Sequence, residues 1–203
     1  MSAMTTLVVL VGSSASETLR RIDAANVSGE TVGDLPEDPT EASRLLSEVW
    51  RRARRHSAVY TLVDVDPLAV VVSAWAERLR GGEDRLELAI GLVADASAPD
   101  YYLVDPTLPD PEVHWYTGKL ISLAPSRVVL TSLSPSRVLD SLANLPAGRE
   151  LPDLKVLAEH TRAFVPVPGV QPLTTPSGRS RATGRANPAN SHASTTSSTS
   201  LYA

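Results

Sequence analysis

Asp64 and Asp66 stand two residues apart just after an apolar run, and two carboxylates at that spacing offer hard oxygen ligands to an ion such as Mg²⁺. Asp64, at a strand end, is also a candidate phosphoacceptor, acid–base group or acceptor for neighbouring backbone N–H groups. Asp66 precedes Pro67, the pattern of a helix N-cap. Gly12, Ser13 and Ser14 follow another apolar run and lead into a helix, so their N–H groups are placed to hold an anion. The three spaced glycines of a dinucleotide loop and the Gly-Lys-Ser/Thr of a phosphate loop are absent, and a tight turn with a serine cap describes the same residues.

Asp105 and Thr107 add a second carboxylate and a hydroxyl, and Ser132 and Ser134 follow the last apolar run. The stretch 105–111 holds three prolines and two aspartates and leads to His114, Trp115 and Tyr116. A stiff loop with aromatic anchors loses little entropy on binding, so these three form a candidate partner surface. The alternative is a crossover whose Trp115 and Tyr116 pack on the sheet. His56, His114, His160 and His192 have no metal-ligand spacing, and no Gly-x-Ser-x-Gly elbow supports a serine triad. The catalytic candidates are therefore Asp64, Asp105 and Ser132. Gly12, Ser13, Ser14, Asp66 and Thr107 are the ligand-binding candidates. No metal site is expected beyond what Asp64 could ligate, and no cofactor is implied.

The placement of Asp64 resembles that of the acceptor aspartate in response-regulator receiver domains. The match stops at that residue: Ser13 and Ser14 stand where an acidic pair would follow the first strand, and no Lys follows the last. The resemblance implies at most a receiver-like scaffold without phosphorylation.

The elements that must position these residues are legible as alternating strands and helices. Residues 5–12 and 58–65 are continuous, β-branched apolar runs, as in strands buried on both faces. Residues 101–104 and 127–133 read as further strands, and 27–35 as a weak edge strand. Ser14 and Glu17 have capping-box spacing. Asp38-Pro39 opens the clearest helix, with Ala42, Leu45, Leu46, Val49, Trp50 and Ala53 on one face. Further helices are expected over 68–80, from 112 to about 124, over 136–145 and over 154–164. Residues 86–93 alternate Leu86, Leu88, Ile90 and Leu92 and are read as a strand, although their Ala and Glu residues also suit a helix.

This order implies an α/β fold: a three-layer, Rossmann-like or flavodoxin-like, mostly parallel sheet of about five or six strands. Ligands in such sheets bind beyond the carboxyl ends of the strands, where these polar clusters lie. The globular domain is expected over 1–170, and residues 171–203, rich in Ser, Thr, Pro and Arg, are expected to be a disordered tail.

Composition narrows the function classes. The chain has no cysteine, which excludes disulfides, thiolate metal sites and a Cys nucleophile. The apolar stretch near the N-terminus is short and has no preceding base, so the expected location is cytoplasmic, with no membrane association. Residues 1–170 carry sixteen bases against twenty-three acids, a net charge of −7, and the remainder carries three arginines and no acid, or +3. An acidic domain makes nucleic acid an unlikely partner, and the run Arg51-Arg52-Ala53-Arg54-Arg55 reads as a solvated helix face. The leading expectation is a non-catalytic regulatory or protein-interaction module with a protein partner. An alternative is a Mg- or nucleotide-binding enzyme using Ser13, Ser14, Asp64 and Asp105. The third is weak nucleic-acid association through Arg51–Arg55 and the tail.

Overall fold

The computed structural model describes residues 5–93, 98–108, 111–148 and 150–165. At its centre lies β1 (Thr6–Val11), whose six residues are almost wholly apolar because both faces are covered. It pairs in parallel with β3 (Tyr60–Val63) on one side and β4 (Tyr101–Val104) on the other. The edges are β2 (Val27–Glu30), beside β3, and β5 (Val128–Leu130), beside β4. The sheet is five-stranded and all-parallel, in the order β2-β3-β1-β4-β5. The Rossmann-like α/β class is the one the alternation of elements implies. That β3 rather than β2 lies beside β1 is a detail alternation does not set.

Chain direction explains how the helices are distributed. The connection from β1 to β2 runs toward one edge of the sheet, and the next three run toward the other. Right-handed crossovers therefore place α1 (Ala15–Arg21) on one face and the intervening helices on the opposite face. Those are α2 (Pro39–Ala53), α3 (Ala69–Leu79), the short α4 (Leu86–Gly91) and α5. The helical run α5 comprises Glu112–His114, a π-helical segment Trp115–Leu120, and Ile121–Leu123. After β5, α6 (Pro135–Ala143) joins α1, and α7 (Leu154–Arg162) joins the larger layer. Alternate strand residues divide accordingly. Leu7, Val9, Tyr102 and Val104 face α2, α3, α5 and α7, whereas Val8, Leu10, Leu62 and Leu103 face α1 and α6.

Local signals act mostly as their chemistry requires. The Asp38 carboxylate accepts from the N–H groups of Thr40 and Glu41 at 3.0 and 2.9 Å, capping α2. α3 ends in a Schellman turn: Gly81 takes φ +77°, its N–H donates to Arg78 O, and the Gly82 N–H donates to Glu77 O.

Two expectations need correction. Residues 86–93 do not form a strand. Leu86 and Ala89, three apart, are buried while Leu88 is 53% exposed, so the helical period decides the segment. The capping box at Ser14 does not form either, because the Ser14 side chain makes no cap bond. The expected tail, residues 171–203, lies outside the described residues. Among the described residues, no helix is long and apolar enough to cross a membrane.

Candidate functional site

The rim formed by the carboxyl ends of β1, β3, β4 and β5 brings several of the singled-out residues together. Gly12 is needed there for close approach: a Cβ at that position would lie 2.8 Å from Asp105 Cβ and 2.9 Å from Leu133 Cδ1. The Asp105 N–H donates to Val11 O at 2.9 Å, which holds the β4 exit against β1.

Hydrogen bonds commit the rim carboxylates to the protein itself. Asp64 accepts from Ser16 Oγ at 2.6 Å and from the Val32 N–H at 2.9 Å. One carboxylate thereby ties the first turn of α1 and the segment after β2 to the end of β3. The Thr18 hydroxyl similarly donates to the Leu133 carbonyl and ties α1 to the chain after β5. Asp105 Oδ1 accepts from Thr107 twice, from its N–H at 2.9 Å and from its hydroxyl at 2.7 Å, closing the turn after β4.

Asp64 and Asp105 flank β1 from opposite sides. Strand register sets them two strand spacings and two residues apart, a Cα separation of about 12 Å. With Asp64 turned to Ser16 and Val32 and Asp105 to Thr107, they do not form a shared ion site. Among the described residues, no group of three or more His, Asp or Glu is arranged to hold a metal ion. Ser13 and Ser132 are exposed, and Ser14 is half-buried on the same rim.

Asp66 belongs elsewhere. It is 4% exposed and sits beneath the sheet, where Oδ1 accepts from the Leu68 N–H at 2.8 Å and from Tyr102 Oη at 3.1 Å. Its Oδ2 accepts from Tyr116 Oη at 2.8 Å. Burial raises its pKa to about 6, although the three donors pull the other way. Both tyrosine hydroxyls are pushed well above their ordinary range, first by burial and then by the Asp66 charge. Asp66 is thus the cap-region residue its Asp-Pro pattern suggests and also the acceptor of a buried tyrosine pair. It does not open onto the rim.

The proposed partner surface at His114, Trp115 and Tyr116 also needs correction. Trp115 and Tyr116 are 0% and 3% exposed. Trp115 Nε1 donates to Thr161 Oγ1 at 3.1 Å, and the two rings meet edge-to-face at 4.9 Å. Helix α5 begins at Glu112, so both aromatics lie within a helix against the sheet and not on the proline-stiffened loop. Only His114, half-buried, retains some exposure. In the arginine run, Arg52 pairs with Glu30 at 3.3 Å and Arg54 donates to Ala98 O at 3.1 Å, while Ala53 is buried between them.

A feature the sequence did not mark is a cleft of about 430 Å³ between the β2–α2 segment, α3 and α4. Leu35, Pro36 and Pro39 line it from the first, Val70, Ser73 and Ala74 from the second, and Ala89 from the third. Glu37, Glu77 and Arg85 supply its charges. Its walls come from three stretches with no motif. The one available hint was Pro36 and Pro39 at the entry to α2.

No protein-family model matches the chain, and no curated protein matches it.

Proposed function

We propose that the protein is a non-catalytic protein-interaction module and that its partner binds in the cleft between α2, α3 and α4. The observation carrying this reading is a contrast between two places. The rim's carboxylates are engaged by donors of the same chain, whereas the cleft's lining combines aliphatic and proline side chains with Glu37, Ser73, Glu77 and Arg85. Concave apolar surface with a few placed polar groups is what a binding site requires. Acid–base or metal chemistry at the rim would first have to break the bonds that hold the strand exits together.

Two measurements on the full chain test the reading. Amide NMR spectra are followed during titration with MgCl₂, inorganic phosphate and Mg-ATP. Residues 12–16, 64–66, 105–107 and 131–134 are expected to stay in place. Saturable shifts there would establish the rim enzyme or nucleotide-binding alternative instead. Partners recovered with the wild type are then compared with those recovered with Ser73→Arg. Ser73 is exposed on α3, so this change fills the cleft without disturbing the core. A partner lost from the folded variant supports the cleft, and one retained undiminished rejects it.

A further inference from the structure

The charge of the cleft has a complement within the chain. Glu37 and Glu77 line it together with Arg85. Arg85 is held by Glu83 at 2.5 Å, and Glu77 and Asp38 also act on its charge. Three carboxylates therefore act on one guanidinium, and a fourth, Glu37, lines the same cleft, within a domain that is itself acidic. Residues 166–203 contain Arg179, Arg181 and Arg185 and no acid. Ahead of these arginines runs Pro-Val-Pro-Gly-Val-Gln-Pro-Leu, residues 166–173, which combines aliphatic side chains with prolines. Proline-rich segments suit shallow apolar grooves because little backbone freedom is lost on docking.

The exit of the described chain favours this occupant. Phe164 stacks on Trp75 of α3 with ring centroids 5.3 Å apart, and Trp75 Nε1 donates to the Phe164 carbonyl at 2.9 Å. The chain thus leaves from α3, the helix that also contributes Val70, Ser73 and Glu77 to the cleft. The eight steps from Val165 to Leu173 span up to about 28 Å when extended. That is more than the roughly 10–12 Å diameter of the helix to be rounded.

We propose that residues 166–185 occupy the cleft in cis, with the aliphatic residues of 167–173 on Leu35, Pro36 and Val70 and the arginines against the carboxylates. Tethering makes the contact intramolecular, so a modest intrinsic affinity suffices, and an incoming partner must displace the segment. The inference rests on the cleft being the binding face and adds its regulation.

Because the chain contains no cysteine, Thr183→Cys in the full-length protein gives a unique site for a nitroxide label. The expected result is loss of amide peak height at Ala42, Val70 and Ser73, with Leu139 and Ser141 of α6 unaffected. Adding Arg179→Glu, Arg181→Glu and Arg185→Glu should restore the lost peaks. Broadening centred elsewhere, broadening that survives charge reversal, or no broadening would each overturn the proposal. So would broadening in a mixture of labelled and isotopically enriched chains, which would assign the cleft to a second copy. If a partner is lost from Ser73→Arg while the label leaves the cleft untouched, the cis contact alone fails. If the label marks the cleft and no partner depends on Ser73, the interaction reading alone fails.

Discussion

Asp66 shows how one buried carboxylate makes stability depend on pH. Its pKa is about 6 in the folded chain against an ordinary 3.8. The folded state therefore holds the proton more tightly than the unfolded state. The stability contributed by protonated Asp66 is complete below about pH 4 and is lost as the pH rises through 6. The amount is about 3 kcal/mol, at 1.36 kcal/mol per pKa unit. Denaturant unfolding of the wild type and Asp66→Asn, compared at pH 4.5 and 7.5, isolates this contribution from other titrating groups. The wild type should lose stability relative to the variant as the pH rises, and a constant difference would refute the assignment. Tyr116→Phe removes the donor to Oδ2 and should cost about 1–3 kcal/mol, more above pH 6, where the carboxylate is charged, than below it. Asp64 behaves differently because its role is to join segments. Asp64→Asn and Ser16→Ala should each destabilise the fold by about 1 kcal/mol, and the double variant should cost less than the sum. A fully additive double-mutant cycle would deny the bond. A stability loss in Asp64→Asn is accordingly no sign of a lost ligand.

At the scale of elements, α4 gives a test that separates its two sequence readings. In a strand, Leu86 and Leu88 would face the same side and be equally costly to replace. In the helix, Leu86 is 0% exposed and Leu88 is 53% exposed. Leu86→Ala should cost about 2–5 kcal/mol and Leu88→Lys no more than about 0.5 kcal/mol in urea unfolding. Comparable losses would restore the strand. The same segment shows where sequence reasoning stops. β1 and β3 were legible because continuous β-branched apolar runs of that length have few other uses, and α2 because six apolar residues fall on one face. Leu86, Leu88, Ile90 and Leu92 fit both periods, and what decides is that α3 and α7 are present to cover the helical face. Trp115 and Tyr116 were misplaced for a related reason. Their proline-rich preface suggested exposure, but the helix expected from 112 turns both inward toward Thr161 and Asp66. The rim was legible as a location only. The partners of Asp64 come from 48 and 32 residues away, and no local pattern announces such pairings.

At the scale of the whole molecule the two faces of the sheet are unequally covered. Among the described residues, one carries α2, α3, α4, α5 and α7 over a core containing Trp50, Trp75 and Trp115, and the other carries only α1 and α6 over a smaller aliphatic cluster. α1 has seven residues and α6 nine, too short to hold a helix without tertiary contacts. They are fastened to the sheet by Ala15, Leu19, Val138 and Leu142, and by the bonds from Ser16 and Thr18 to the rim. Their removal would leave β1, β3 and β4 paired and covered on the other side. Local opening should therefore begin on this face. Native-state hydrogen exchange in low denaturant should show α1 and α6 amides exchanging through openings well below the global unfolding free energy, while β1, β3 and β4 amides exchange only with it. Such a hierarchy would leave the cleft, on the thicker side, seated on the part of the molecule that opens last, where a binding surface keeps its shape. Uniform protection across both layers would show instead that the rim bonds make the two faces one cooperative unit, and the cleft would then gain no rigidity from its position.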